Sequence, residues 1–306
     1  MTPRERVVAA LERKQPDMVP TFELEFQLVE ELTGKKPHDR EEYLRATAAE
    51  KEAMMKSDVE LWIEVYERLE YSIAYAHALG SPEAVRYFRK LTGDRFMVWA
   101  HADGTFAIPD GEHMTEFVFW LADKPEEAKE TARRRVREAI ERAKVWFDAG
   151  VDLFGLCSDY CFNSGPFLSP RMFAEFITPY LEENIRRLKE MGAYVFKHTD
   201  GNIMPILDQL VACEPHALHS LDPMAGVDIA EVKRLVGDRV ALMGNVNCAL
   251  LQTGTRDEII QSAEYAITRG KPGGGYVFCT SNVAFKGMPL ENYLLILEVW
   301  KRHREY

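Results

Sequence analysis

The 306-residue chain is 46% hydrophobic and 28% charged, enough apolar material for one large domain with a core of its own. Its formal net charge of -11 comes without a basic block, which excludes the electrostatic footprint of a nucleic-acid binder or of a protein docked on an anionic membrane. No apolar run reaches the roughly 18 residues of a membrane span, and five scattered cysteines, at 157, 161, 213, 248 and 279, do not form a secreted disulfide framework; a cytoplasmic protein with reduced thiols is expected.

The opening stretch "MTPRERVVAALERKQPD" reads as a charged helix and not as a signal segment. Residues 17–23 and 58–65 then read as strands, and 114–120 as a third. Between the last two, "DRFMVWAHADGTFAIPDGE" alternates about Ala102-Asp103-Gly104, which predicts an antiparallel hairpin inserted within 80–113 as a lid.

From residue 125 the chain repeats one pattern of polar amphipathic helix, short loop and apolar strand. Helices are predicted over 126–149, 171–191, 203–212, 228–236, 255–269 and 289–303. Strands follow the first five, over 151–156, 193–196, 217–221, 240–244 and 275–280. Gly150 and Gly192 stand where helices stop. Strands alternating with helices imply parallel pairing through right-handed crossovers. Eight strands in this length predict a (β/α)8 TIM barrel spanning 1–306 as one domain, with the inserted hairpin as its irregularity.

A barrel of this kind carries its chemistry at the C-terminal ends of its strands. Those ends are polar here: Glu23 and Glu25; Ser158 and Asp159; His198, Thr199 and Asp200; Ser220 and Asp222; Asn245 and Asn247; Cys279, Ser281 and Asn282. His198 and Asp200 are two apart and share a face of their strand. With Cys279 they offer imidazole, carboxylate and thiolate, all competent zinc ligands; the same residues equally suit a hydrogen-bonding role with Cys279 as a buried thiol. Glu23, beside Phe22 and Phe26, is placed for a raised pKa and general-acid work, or for pairing at the surface. Asp159 is a further candidate catalytic carboxylate. Phe22, Glu25, Phe162, Asn245, Asn247 and Asn282 are candidate substrate-binding residues. The sequence holds no G-x-S-x-G elbow and no H-E-x-x-H pair, and "GKPGGG" precedes a strand instead of opening a phosphate-binding helix.

Four stretches carry a family resemblance: "CSDYCFNSGPFLSPRMFAEFITPYLEENI" from 157, "YVFKHTDGNIMPILDQL" from 194, "LHSLDPMAGVDIAEVKRLVGDRVALMGNVN" from 218 and "GGYVFCTSNVAFKGMPLEN" from 274. Over most of its length the chain resembles the uroporphyrinogen decarboxylase superfamily, which includes that decarboxylase and the methyltransferases serving corrinoid proteins. The decarboxylases carry arginines after the first strand for a polycarboxylate substrate; here that stretch is "VPTFELEFQLVEELTG", which is acidic. The methyltransferase branch is therefore implied. Its thiol-methylating members bind zinc through a His-x-Cys pair and a distant Cys. In this chain Asp200 replaces the first cysteine, and Cys279 falls near the distant one.

The resemblance implies a methyltransferase that takes a methyl group from a small substrate, in the first instance an aromatic methyl ether, and passes it to a corrinoid (cobalamin) on a partner protein. Zinc is an implied cofactor. The rival reading is a decarboxylase or lyase acting on a small carboxylated ring. The apolar content of the outer helices permits a homodimer.

Overall fold

The computed structural model describes all residues 1–306. Seven strands form one parallel sheet: β1 (Ile73–Tyr75), β2 (Met97–His101), β3 (Leu153–Leu156), then β6 (Tyr194–Thr199), β7 (Ala217–Ser220), β8 (Ala241–Val246) and β9 (Tyr276–Thr280), neighbours in that order. The short β4 (Cys161–Phe162) and β5 (Gly165–Pro166) make a separate antiparallel ribbon after β3. An eighth stave closes the ring without extended strand geometry. Thr21 bridges Phe278 in parallel, Phe278 N donates to Pro20 O at 2.9 Å, and Ser72 N donates to Thr21 O at 2.7 Å. The result is the predicted (β/α)8 barrel, with residues 20–22 spanning the gap between β9 and β1.

Side-chain alternation divides two cores. Val277 and Cys279 of β9 join Ile73, Trp99, Phe196 and Met243 inside the barrel, while Tyr276 and Phe278 face the helical layer. Val7, Ala10 and Leu11 belong to the inner cluster too, so the first helix (Pro3–Leu11) plugs the N-terminal end of the barrel and leaves the opposite rim for chemistry. Gly155 makes the inner layer possible, because a Cβ there would lie 2.5 Å from Phe196 Cζ and 2.8 Å from Trp99 Cζ3. Without that side chain, two large rings fill the barrel at normal packing density.

Three expected elements are corrected. Residues 58–65 lie inside the helix Ala48–Arg68, whose buried Val59, Trp62, Val65 and Tyr66 follow a helical period and whose start is fixed by a Thr47–Glu50 capping box. Residues 114–120 fall in the helix Met114–Asp123, where the aromatic run packs beside Phe106 and Phe167 instead of pairing with strands. The predicted hairpin is absent as such. Met97–His101 is a barrel strand paired in parallel with β1 and β3. The return segment cannot pair with it, because Asn184 takes Gly104 N and Ala102 O, and Ile108 N donates to Asp159 O. No helix is long and apolar enough to cross a membrane.

Candidate active site

β6 brings His198 to the rim. Its Nδ1 lies 2.7 Å from Nδ1 of His219 on the adjacent β7, and His219 Nε2 lies 3.2 Å from the carbonyl oxygen of Thr280. Burial holds both rings neutral: His198 is pushed down to about 3, by burial first and then by Lys197 and His101, and His219 well below the ordinary imidazole value, by burial and His198. A carbonyl can only accept, so His219 carries its proton on Nε2 and offers a lone pair at Nδ1. His198 must then donate from Nδ1. Its Nε2 is left as a bare lone pair.

That lone pair faces two carboxylates. Oδ1 of Asp159 and Oδ1 of Asp200 each lie 3.8 Å from His198 Nε2, and ligand atoms of the three residues all fall within 4.8 Å of one another. Asp159 Oδ1 also accepts Asp200 N at 3.0 Å, and Asn282 Nδ2 donates to Asp200 Oδ2 at 2.6 Å. The Ser220 hydroxyl is buried beside Asp200 and is a donor-capable neighbour of that carboxylate. Burial and the neighbouring Asp159 push Asp200 up to about 7. Three acceptor atoms therefore converge, and no donor lies between His198 Nε2 and either carboxylate, an arrangement that asks for a proton or a cation.

The donor set fits a divalent ion. Nitrogen and carboxylate oxygen suit zinc, and separations of 3.8 Å are near the ~3.4 Å edge of a tetrahedron with bonds of about 2.1 Å. His219, which fixes the free nitrogen of His198, is the kind of outer partner that metal-binding histidines use.

The loops bearing Asp159 and Asp200 are held from behind. Lys197, fully buried on the outward face of β6, donates to Asp103 Oδ2 at 3.2 Å, Leu156 O at 3.0 Å and Ser158 O at 2.8 Å, and sits 4.0 Å from the Tyr160 ring centre. Burial alone would raise Asp103, but the Lys197 ammonium and donors from Thr105 and Ser158 hold it at about 2. Gly201, at φ +80°, packs where a Cβ would meet Cys161 O at 2.4 Å, so the ribbon sits directly on the Asp200 turn.

Of the residues expected to form the site, His198, Asp159, Asp200 and Asn282 come together. Cys279 does not join them: it points into the inner barrel core, with its thiol raised well above the ordinary value by burial and by Glu23. Glu23 is 3% exposed and faces the helical layer, accepting from Thr280 Oγ1 at 2.6 Å and Tyr293 OH at 3.1 Å; burial pushes it up to about 8. Glu25 is exposed. Phe22 is buried edge-on to His219 and Phe196. Phe162 stands 42% exposed on the ribbon. Asn245 Nδ2 ties down Leu221 O, and Asn247 caps Ala249 N, so both shape loops.

Sequence reasoning passed over His219, which lies inside its strand instead of closing it. It also passed over the rim cluster of Tyr75, His77 and His101. Tyr75 stacks on Trp99 at 4.4 Å between centroids and bonds His101 Nε2 at 2.9 Å.

A TIM barrel whose rim gathers an imidazole and two carboxylates, backed by a second imidazole, sets ligand-capable and titratable groups where barrel enzymes carry their chemistry. The uroporphyrinogen decarboxylase (URO-D) family model matches residues 83–303, and the chain belongs to that family. Two curated relatives are methylcobamide:CoM methyltransferases named MtaA. The one from Methanosarcina barkeri is 25% identical over 216 residues, 69% of this chain and 59% of the relative; the one from Methanosarcina barkeri strain Fusaro / DSM 804 is 24% identical over the same shares. The chain thus matches 59% of the length of these relatives. A solved methyltransferase from Methanosarcina mazei superposes with a TM-score of 0.76 at 17% identity, covering 99% of both chains, which shows the shared fold.

Proposed function

We propose that the protein is a methyltransferase that removes a methyl group from the oxygen of a small methylated compound, an aromatic methyl ether in the first instance, and delivers it to the reduced cobalt of a corrinoid carried by a partner protein. The observation that carries this reading is the convergence of His198 Nε2, Asp159 and Asp200 at the rim, in a chain whose relatives are methylcobamide:CoM methyltransferases. The cobalt electron pair forms the new bond to the methyl carbon, the carbon–oxygen bond breaks, and its electron pair leaves with the oxygen. That oxygen then takes up a proton.

The departing oxygen needs positive charge. His198, Asp159 and Asp200 would hold a zinc-like divalent ion, which when bound supplies that charge as a Lewis acid. His219 keeps the His198 lone pair directed outward, and Asn282 holds Asp200 in place. Tyr75, stacked on the buried Trp99 and bonded to His101, offers an aromatic face at the same rim for a flat substrate ring. Residues 19–34 hold no arginine, so they offer no guanidinium partners for a polyanionic porphyrinogen.

The test is to incubate the protein with reduced cobalamin and methoxybenzene, and separately with CoM and methylcobalamin. Formation of methylcobalamin and phenol in the first mixture supports ether demethylation. Turnover in the second mixture alone overturns the ether and assigns the relatives' reaction; no methyl movement in either overturns the reading.

A further inference from the structure

A second cavity adjoins the rim, outside the carboxylate–imidazole site. It encloses about 780 Å³ between the segment leading into the helix Ala48–Arg68 and the turn that follows β1, a volume in the range of small-molecule sites. His77 forms part of its wall. The His77 ring stacks on His101 at 5.3 Å, and its Nε2 accepts from His101 N at 3.3 Å. His101 closes β2 at the barrel rim, so the cavity and the rim site share this imidazole pair as a wall.

The charges in the cavity are unequally matched. Its acids are already engaged: Glu52 with Lys56 at 2.6 Å, Glu83 with Arg86 at 3.4 Å, and buried Asp58 with His38 Nδ1 at 2.7 Å and Tyr43 OH at 2.9 Å. Its cations are not. Arg40 and Lys51 line the cavity without a carboxylate within 4.0 Å. With Nε2 committed to His101 N, His77 has Nδ1–H free as a donor, whereas His38, whose Nδ1–H is committed to Asp58, presents only a lone pair at Nε2. Three donor-capable groups, Arg40, Lys51 and His77, thus face one space, in a protein whose net charge is -11.

From this geometry we infer that the cavity binds an oxyanion, a carboxylate or phosphate group, through Arg40, Lys51 and His77, with the rest of the ligand running past the His77–His101 pair toward the rim. Placed beside the proposed methyl-transfer site, on which this inference rests for its biological meaning, the oxyanion is either a carboxylate on the methyl donor or the phosphate in the nucleotide tail of the corrinoid. Guanidinium and ammonium groups form charge-assisted bonds to either, and the fixed His77 Nδ1–H adds a neutral donor.

Titration calorimetry on the intact chain separates the sources. One arm compares 4-methoxybenzoate with methoxybenzene, and the other compares cobalamin with cobinamide, which lacks the phosphate. At least one anionic probe is expected to bind about tenfold tighter than its uncharged or phosphate-free counterpart. That preference disappears in Arg40→Ala/Lys51→Ala and returns in Arg40→Lys/Lys51→Arg, while thermal melting shows both variants folded. A preference in the first arm assigns a carboxylated donor, and one in the second the corrinoid phosphate. No preference in either arm, or a preference unchanged in the alanine variant, overturns the inference. Binding is read without turnover, so the inference stands or falls independently of the methyl-transfer assay.

Discussion

The Nδ1 atoms of His198 and His219 lie 2.7 Å apart and share one proton, whose position is dictated by the Thr280 carbonyl on the far side of His219. Removing His219 frees the His198 tautomer. His219→Ala is expected to weaken zinc binding by about 10–100-fold. His219→Asn, whose Oδ1 can replace the accepting nitrogen, is expected to lose much less. Competition against a zinc chelator gives both affinities, and equal losses would reduce His219 to a packing residue.

Asp159 and Asp200 repel each other across the same space. Asp200→Asn is expected to abolish stoichiometric metal binding. In chelator-treated protein it should raise stability by about 1 kcal/mol, the usual trade between function and stability at a site of like charges. Thermal melting with and without chelator measures this, with the sign of the change reversing between the two conditions.

Glu23 gives the fold a pH dependence. Its folded value of about 8 lies above the unfolded 4.5, so the folded state binds the extra proton between these values. The contribution is full below about pH 4.5 and is lost as pH rises toward 8. At about 1.4 kcal/mol per pH unit, this loss amounts to a few kcal/mol. Glu23→Gln, which imitates the protonated side chain toward Thr280 and Tyr293, should match wild type at pH 5 and exceed it in stability at pH 8.5. Urea denaturation at the two pH values is the check.

Lys197 and Asp103 form a buried ion pair with every neighbouring acceptor and donor accounted for. Lys197→Met leaves Asp103 charged and unpaired in the interior, at an expected cost of about 3–5 kcal/mol. Because Lys197 also holds Ser158 O, metal affinity should fall in the same variant. A denaturation curve paired with metal analysis tests both effects.

Much of the barrel was legible because the helix–strand alternation after residue 125 repeats with glycine stops, and each apolar strand there is buried on both faces. The first third was harder. Residues 20–22 close the ring by bridges alone, and Met97–His101 resembles half a hairpin until Asn184 is seen holding the following turn. Within the site, His198, Asp159, Asp200 and Asn282 were visible as polar strand ends. His219 was not, since its role depends on a neighbour in the adjacent strand and on a backbone carbonyl 61 residues away. Cys279 faces inward as His198 does, but it is buried in the inner core and is not among the residues whose ligand atoms converge at the rim.

The central claim is that Asp159, His198 and Asp200, and not Cys279, hold a metal ion at the barrel rim. Metal analysis of purified wild type, His198→Ala and Cys279→Ala tests it most directly. The account predicts one equivalent of zinc or a similar divalent ion in wild type and in Cys279→Ala, with loss in His198→Ala. Metal retained in His198→Ala, or lost in Cys279→Ala, would contradict it.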